Sequence, residues 1–335
     1  MCENNAMHDI RELHYDSVDS AYLDCLNDNL AVLLRYLGVA DVRTPFACQW
    51  HFEVDPARPL DSLSLERTPI TTVIRAQTGC AIERVRFEAG DLLAQCAPFI
   101  ARDEPALVFG DAYAMPWLPY FERAHMEHSF IVDSIAADRQ SLHLVDAYEN
   151  RTEWGAATPT ETTIARDVFE RAVRELDALN AGYFWIVRRV DQPDALDLPA
   201  LLRDNAEQIG IQLGERQRLA QFCAWYAERI TDLEAMKQFT LDCWLIARTR
   251  AYHQLWLADL ERTHPKILPP DFAALFGQDV AAPWQRVSEF AYILSRRLSQ
   301  GRRPPDTCFQ MIRDVVQPNE LRVADALARS LRPQL

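Results

Sequence analysis

Glycine is scarce, with 10 residues in a chain of 335, and alongside 19 prolines it leaves no room for long flexible linkers. No apolar run approaches the roughly 20 residues of a membrane span, so no membrane partner is expected. The opening Met1-Cys2-Glu3-Asn4-Asn5 lacks the basic and apolar blocks of a secretory signal, which points to the cytoplasm. The eight cysteines include no C-x-x-C pair, which argues against a zinc ribbon and against a disulfide scaffold in a chain of this length. There is no G-x-S-x-G, no phosphate-cradling glycine loop and no dinucleotide fingerprint. Serine hydrolases of the elbow type, P-loop enzymes and ordinary dehydrogenases are thereby excluded. Basic charge is also short in residues 1–150, where 24 Asp and Glu stand against 11 Lys and Arg, so a nucleic-acid partner is not expected.

What is present suffices for a full core. The chain is 49% hydrophobic and longer than the roughly 250–300 residues at which single cores stop growing, so one large domain plus a smaller one is expected. Leu26, Leu30, Leu33, Leu34 and Leu37 mark one face of a helix, with Gly38 where a C-terminal cap is wanted, so Cys25 falls at the helix N-terminus. Helices are expected around 69–78 and 90–102 and strands at 80–87, 106–109, 129–135 and 142–145, the last two forming a hairpin. Residues 161–180 read as one helix and 183–187 as a strand. After Pro193 the strand signals stop, and 198–335 reads as successive helices broken at Pro265, Pro269-Pro270, Pro283, Pro304-Pro305 and Pro318. The expected organisation is an α+β domain over 1–192 and an all-α domain over 193–335. Trp225, Trp244, Trp256 and Trp284 read as helix-packing residues of the second.

Cysteine chemistry needs a thiolate, a histidine that moves protons and a third group that fixes the histidine tautomer. Cys25 at a helix start, His128 opening one strand and Asp146 closing the next supply these in order. If the hairpin turns near 138–139, Asp146 lies across from residues 129–131, within diagonal reach of His128, and a slip of one residue would send it to the other face. A cysteine ahead of a leucine-rich helix also reads as a small buried hydrophobe, and Asp24 and Asp28 flank the thiol with unhelpful charge. His125 and His128 form an H-x-x-H pair without a third ligand, so no metal is expected. His143 reads as structural. For an oxyanion, the backbone N–H of Cys25 with the side chain of Asn27 or Asn29 is the expected donor set. Tyr113, Trp117 and Tyr120 are expected to line a substrate channel beside the site or simply to form a structured loop.

Residues 15–190 resemble the N-terminal domain of the butirosin biosynthesis protein H type, a papain-like family found with carrier-protein-dependent pathways. The resemblance is carried by Asp24-Cys25-Leu26-Asn27-Asp28-Asn29-Leu30 running to Gly38, Trp50-His51-Phe52, Asp111-Ala112-Tyr113, Leu118-Pro119-Tyr120, His125 through Val132, and Leu144-Val145-Asp146. Leu26 stands where that family often has a small residue. The resemblance implies a papain-like cysteine-protease-type domain in which Cys25 is nucleophile, His128 base and Asp146 orienting acid. It implies acyl transfer from a phosphopantetheine thioester on an acyl or peptidyl carrier protein to a small-molecule amine, with no further cofactor. A hydrolase, thioesterase or off-loading cyclase on the same fold, or a non-catalytic carrier-protein-binding scaffold, are the alternatives. Arg296, Arg297, Arg302 and Arg303 are expected to meet an acidic partner.

Overall fold

Helix α1 (Cys25–Tyr36) starts where the Asp24 carboxylate accepts the backbone N–H of Asn27 and ends where Gly38 turns into the left-handed region at φ +76°, the Gly38 and Val39 N–H groups closing on the Arg35 and Leu34 carbonyls. Leu30, Leu33 and Leu34 of its leucine face are buried, while Leu26 and Leu37 at the two ends are half-buried. The computed structural model describes residues 18–55, 57–58, 62–88, 90–177, 182–302 and 305–331. The chain divides into two compact units, Met1–Pro45 with Thr71–Asp194, and Phe46–Ile70 with Ala195–Leu335. The short helix α2 (Thr44–Ala47) lies where the chain passes from one to the other.

The first unit is α+β. After α3 (Ile70–Thr78) come β1 (Cys80–Arg86), α4 (Leu92–Ile100), β2 (Ala106–Asp111), β3 (Glu127–Ile135) and β4 (Ser141–Asp146). A small hairpin, β5 (Asn150–Thr152) and β6 (Gly155–Ala157), precedes β7 (Thr160–Ala165), α5 (Arg166–Asp177) and β8 (Tyr183–Arg189). All neighbours in the main sheet are antiparallel, in the order β1-β8-β2-β3-β4-β7. α5 packs so closely on β2 that a Cβ at Gly110 would sit 2.8 Å from Met115 Cε and 3.3 Å from Ala172. Gly79, at φ +70°, turns α3 into β1, and a Cβ there would lie 2.1 Å from the Asp191 carbonyl oxygen. Gly79→Ala is therefore expected to cost at least about 2 kcal/mol, the sum of left-handed strain and a clash with unyielding backbone, and a denaturant titration would read it directly.

Residues 161–180 are not one helix. Thr160 to Ala165 form β7, paired along β4 with Leu142 opposite Ile164, and the helix begins only at Arg166. Ile164 keeps step with the helical apolar positions, but the Thr-rich run fits a pleated edge strand, and the ladder to β4 decides it.

The second unit is helical, with α6 (Leu198–Ile209), α7 (Arg218–Glu228), α8 (Leu233–Thr263), α9 (Phe272–Phe276), α10 (Ala282–Ser299), α11 (Thr307–Met311) and α12 (Gln317–Ser330). Pro283 and Pro318 do not break the chain as expected. Each sits in the first turn of a helix that continues from a π-helical turn, over Gly277–Ala281 and Ile312–Val316, and the widened turn accommodates a residue without an N–H. The single boundary near 192 also proves incomplete, because Phe46–Ile70 belongs with these helices. Trp50 and Phe52 are fully buried, Trp50 edge-on to Phe276 at 4.9 Å and Phe52 edge-on to Phe222 at 5.7 Å. Asn205 Nδ2 donates to the Cys48 carbonyl at 2.8 Å, and His253 Nδ1 donates to the Ala47 carbonyl at 2.7 Å. Burial holds His253 down to about 3, so it stays neutral. Trp284 Nε1 and Arg250 Nε both donate to Glu320 Oε1, tying α8, α10 and α12 in the interior. Trp256 and Trp284 are buried, whereas Trp225 and Trp244 carry Arg229 and Arg248 over their rings. Among the described residues no helix is long and apolar enough to cross a membrane. Arg296, Arg297 and Arg302 are exposed, and Arg303 lies outside the described residues.

Candidate active site

Three elements of the first unit converge on one point. β3 and β4 pair with Ile131 opposite Val145 and Val132 opposite Leu144, which carries Asp146 to the level of residue 130 and within diagonal reach of His128. A bulge at Asp133, between Val132 and Ser134, shifts the pairing by one residue on the turn side, and the Asp133 carboxylate takes up His143 Nδ1 at 2.7 Å. His128 Nε2 lies 2.8 Å from Asp146 Oδ2, with both side chains buried.

Asp146 is saturated with donors. Oδ2 also accepts Trp117 Nε1–H at 2.9 Å, while Oδ1 accepts the Tyr148 backbone N–H at 3.2 Å and Asn29 Nδ2 at 3.5 Å. Burial alone would raise its carboxyl, but the His128 charge and these donors outweigh that and leave it below the ordinary carboxylate value. Burial likewise pulls His128 down, and the Asp146 carboxylate and the Cys25 thiol, by charge and by hydrogen bonding, carry it well above the ordinary histidine value. With Nε2 given to Asp146, Nδ1 is the ring nitrogen left for the sulfur; it is buried and has no well-formed hydrogen bond of its own. An Nε2–H held by a carboxylate fixes the tautomer whose Nδ1 lone pair can take a thiol proton.

Cys25 is the one described cysteine that is not buried; Cys48, Cys80, Cys96, Cys223, Cys243 and Cys308 all are, and burial pushes the last three and Cys96 up, away from thiolate chemistry. Its carbonyl accepts Ser129 Oγ–H at 2.9 Å and Asn29 Nδ2–H at 2.9 Å, so the start of α1 is pinned to β3 beside His128. Asp24 caps Asn27, and the first intrahelical bond runs from Asp28 N–H to the Asp24 carbonyl. Among the described residues the N–H groups of Cys25 and Leu26 donate to no protein acceptor, which leaves them for an oxyanion.

The two asparagines have other employment. Asn27 Nδ2 donates to Asp24 Oδ2 at 3.2 Å. Asn29 is fully buried: its Nδ2 holds the Cys25 and Ser129 carbonyls and Asp146, and its Oδ1 accepts the Ala147 N–H at 3.0 Å. It locks α1, β3 and β4 together and has nothing left for a substrate. Trp117 is half-buried and orients Asp146 through its indole N–H. Tyr120 is buried, its hydroxyl 3.2 Å from that of Tyr148, whose ring stands edge-on to His128 at 5.2 Å. Tyr113 stacks on His125 at 4.2 Å, and His125 Nδ1 is held by Asp111 at 2.6 Å, so the H-x-x-H pair divides between two carboxylates. No cluster of three or more His, Cys, Asp or Glu side chains able to hold a metal occurs among the described residues. Sequence reasoning passed over Ser129 and Tyr148 because their roles run through a backbone carbonyl and a backbone N–H, which no residue pattern announces. No family model matches this chain, and it matches no curated protein.

Proposed function

We propose that the protein is a papain-like cysteine acyltransferase that moves an acyl group from a carrier-protein thioester to an amine. The observation that carries this reading is the buried His128–Asp146 pair with its second ring nitrogen left to the half-buried Cys25 thiol. A cysteine kept only for packing would be sealed like the other described cysteines.

In the first step His128 Nδ1 takes the Cys25 proton and the sulfur attacks the thioester carbonyl. A C–S bond to Cys25 forms, the oxygen gains negative charge beside the Cys25 and Leu26 N–H groups, and the donor C–S bond breaks as His128 returns the proton to the leaving thiol. Thiol and thioester exchange with little driving force because the two sulfurs are of similar basicity. In the second step the amine attacks the acyl-enzyme, His128 accepts its proton, a C–N bond forms, and the proton passes to the departing Cys25 sulfur. Water in place of the amine would give a free acid, so product mass separates transfer from hydrolysis.

Incubated with an acyl-loaded carrier protein and no amine, the intact protein is expected to gain the mass of one acyl group, discharged as amide when an amine is added. If wild-type protein acquires no adduct, or Cys25→Ala acquires the same one, the proposal fails.

A further inference from the structure

Among the described residues of the α+β unit, two large apolar side chains are exposed, Val190 just past β8 and Trp154. Trp154 is 43% exposed at the tip of the β5–β6 hairpin, and the tip is held firmly. Thr152 Oγ1 accepts the Trp154 N–H at 3.1 Å and donates to the Gly155 carbonyl at 3.0 Å, and Gly155 takes φ +141°.

The tip rests on the segment that touches the triad. Trp154 stands edge-on to Tyr120 at 5.9 Å, and a Cβ at Gly155 would lie 3.7 Å from Pro119 Cβ. Two residues before Pro119, Trp117 donates its indole N–H to Asp146. The hydroxyls of Tyr120 and Tyr148 are turned inward and bonded to each other and to Asn150 Nδ2, so the segment keeps its polar atoms inside. Trp117 and Pro119 are half-buried and Trp154 is exposed, so the three form an apolar strip running from the residue that bonds the triad carboxylate to the hairpin. A contiguous apolar strip leading from a reactive centre marks a place where apolar area is bought out of water by a ligand.

We propose that this strip is the acyl subsite, with Trp154 its outer wall, and that it takes an uncharged aliphatic or aryl acyl chain attached at Cys25. The proposal rests on the acyl-transfer reading. The Trp117 N–H is already engaged by Asp146, so recognition runs through contact area, and selectivity grows with chain length.

The test uses the full chain and N-methyl-, N-hexyl- and N-phenylmaleimide, which alkylate the Cys25 thiol without any turnover. Wild-type protein is expected to react faster with the hexyl and phenyl reagents than with the methyl one, after subtraction of labelling in Cys25→Ala. Trp154→Ala should reduce the hexyl-to-methyl rate ratio by about tenfold, Trp154→Phe should restore most of it, and Val190→Ala should leave it unchanged. Equal rates for the three reagents, or a ratio untouched in Trp154→Ala, overturns the subsite. Chain-length selectivity toward maleimides in a protein that takes no acyl group from a thioester leaves the subsite standing and removes the acyltransferase reading.

Discussion

Cys25→Ala is expected to lower thioester turnover by about ten-thousandfold or more while leaving the fold intact. The lost rate is that of the covalent route as a unit, since His128 and Asp146 have no nucleophile to serve once the sulfur is gone. The fold survives because the structural links of residue 25 run through its carbonyl, to Ser129 Oγ and Asn29 Nδ2, and alanine keeps that carbonyl in place. Alanine is also a good first-turn helix residue, so the melting temperature should move by no more than a degree or two. Steady-state kinetics beside a thermal melt checks both halves. A variant that turns over like wild type would remove the nucleophile, and one that unfolds would show Cys25 to be a packing residue.

Asp146→Asn is expected to damage both stability and rate. The carboxylate accepts four hydrogen bonds, from His128 and Trp117 on one oxygen and from Tyr148 and Asn29 on the other. An amide accepts on one side only, so its NH2 must face either His128 Nε2–H and Trp117 Nε1–H or the Tyr148 N–H and Asn29 Nδ2, donor against donor in a buried place. Breaking a buried pair of this kind costs about 3–5 kcal/mol. Loss of the tautomer hold lowers turnover by about a hundred- to ten-thousandfold, the range in which a well-placed general base contributes.

The pH dependence of that stability loss follows from the two shifts. His128 is raised above its ordinary 6.5, so its contribution is fully present below 6.5 and fades as pH climbs through its folded value. Asp146 is lowered below its ordinary 3.8, so its contribution is present above 3.8 and fades as pH falls through its folded value. The deficit of Asp146→Asn against wild type should therefore be largest between about pH 4 and 6.5 and should shrink as pH climbs through the folded value of His128, as a series of urea titrations from pH 5 upward would read. A deficit with no pH dependence in either direction would mean that no charged pair forms.

Much of the site was legible along the chain. Leucine periodicity and Gly38 place a helix start at Cys25, and strand alternation brings His128 and Asp146 onto paired strands of one hairpin. The hairpin itself and the helical second region also follow from local pattern. The asparagines misled because residue type suggests a donor without saying where it points. Asn29 spends its amide on three elements that meet only after folding, and Trp117, placed in a channel wall by its ring, reaches Asp146 through its N–H.

The order of the chemistry-bearing residues and the elements that carry them were set by the sequence itself, because helix and strand periods, caps and turns are local properties. Tertiary structure alone decided which unit takes Phe46–Ile70, whether 160–165 joins a sheet or a helix, and how the bulge at Asp133 sets the hairpin register. Each of these turns on contacts between residues far apart in the chain: Trp50 with Phe276, Ile164 with Leu142, Asn29 with Ser129 and Ala147. The free energy of such contacts belongs to pairs, and a linear pattern records only the members.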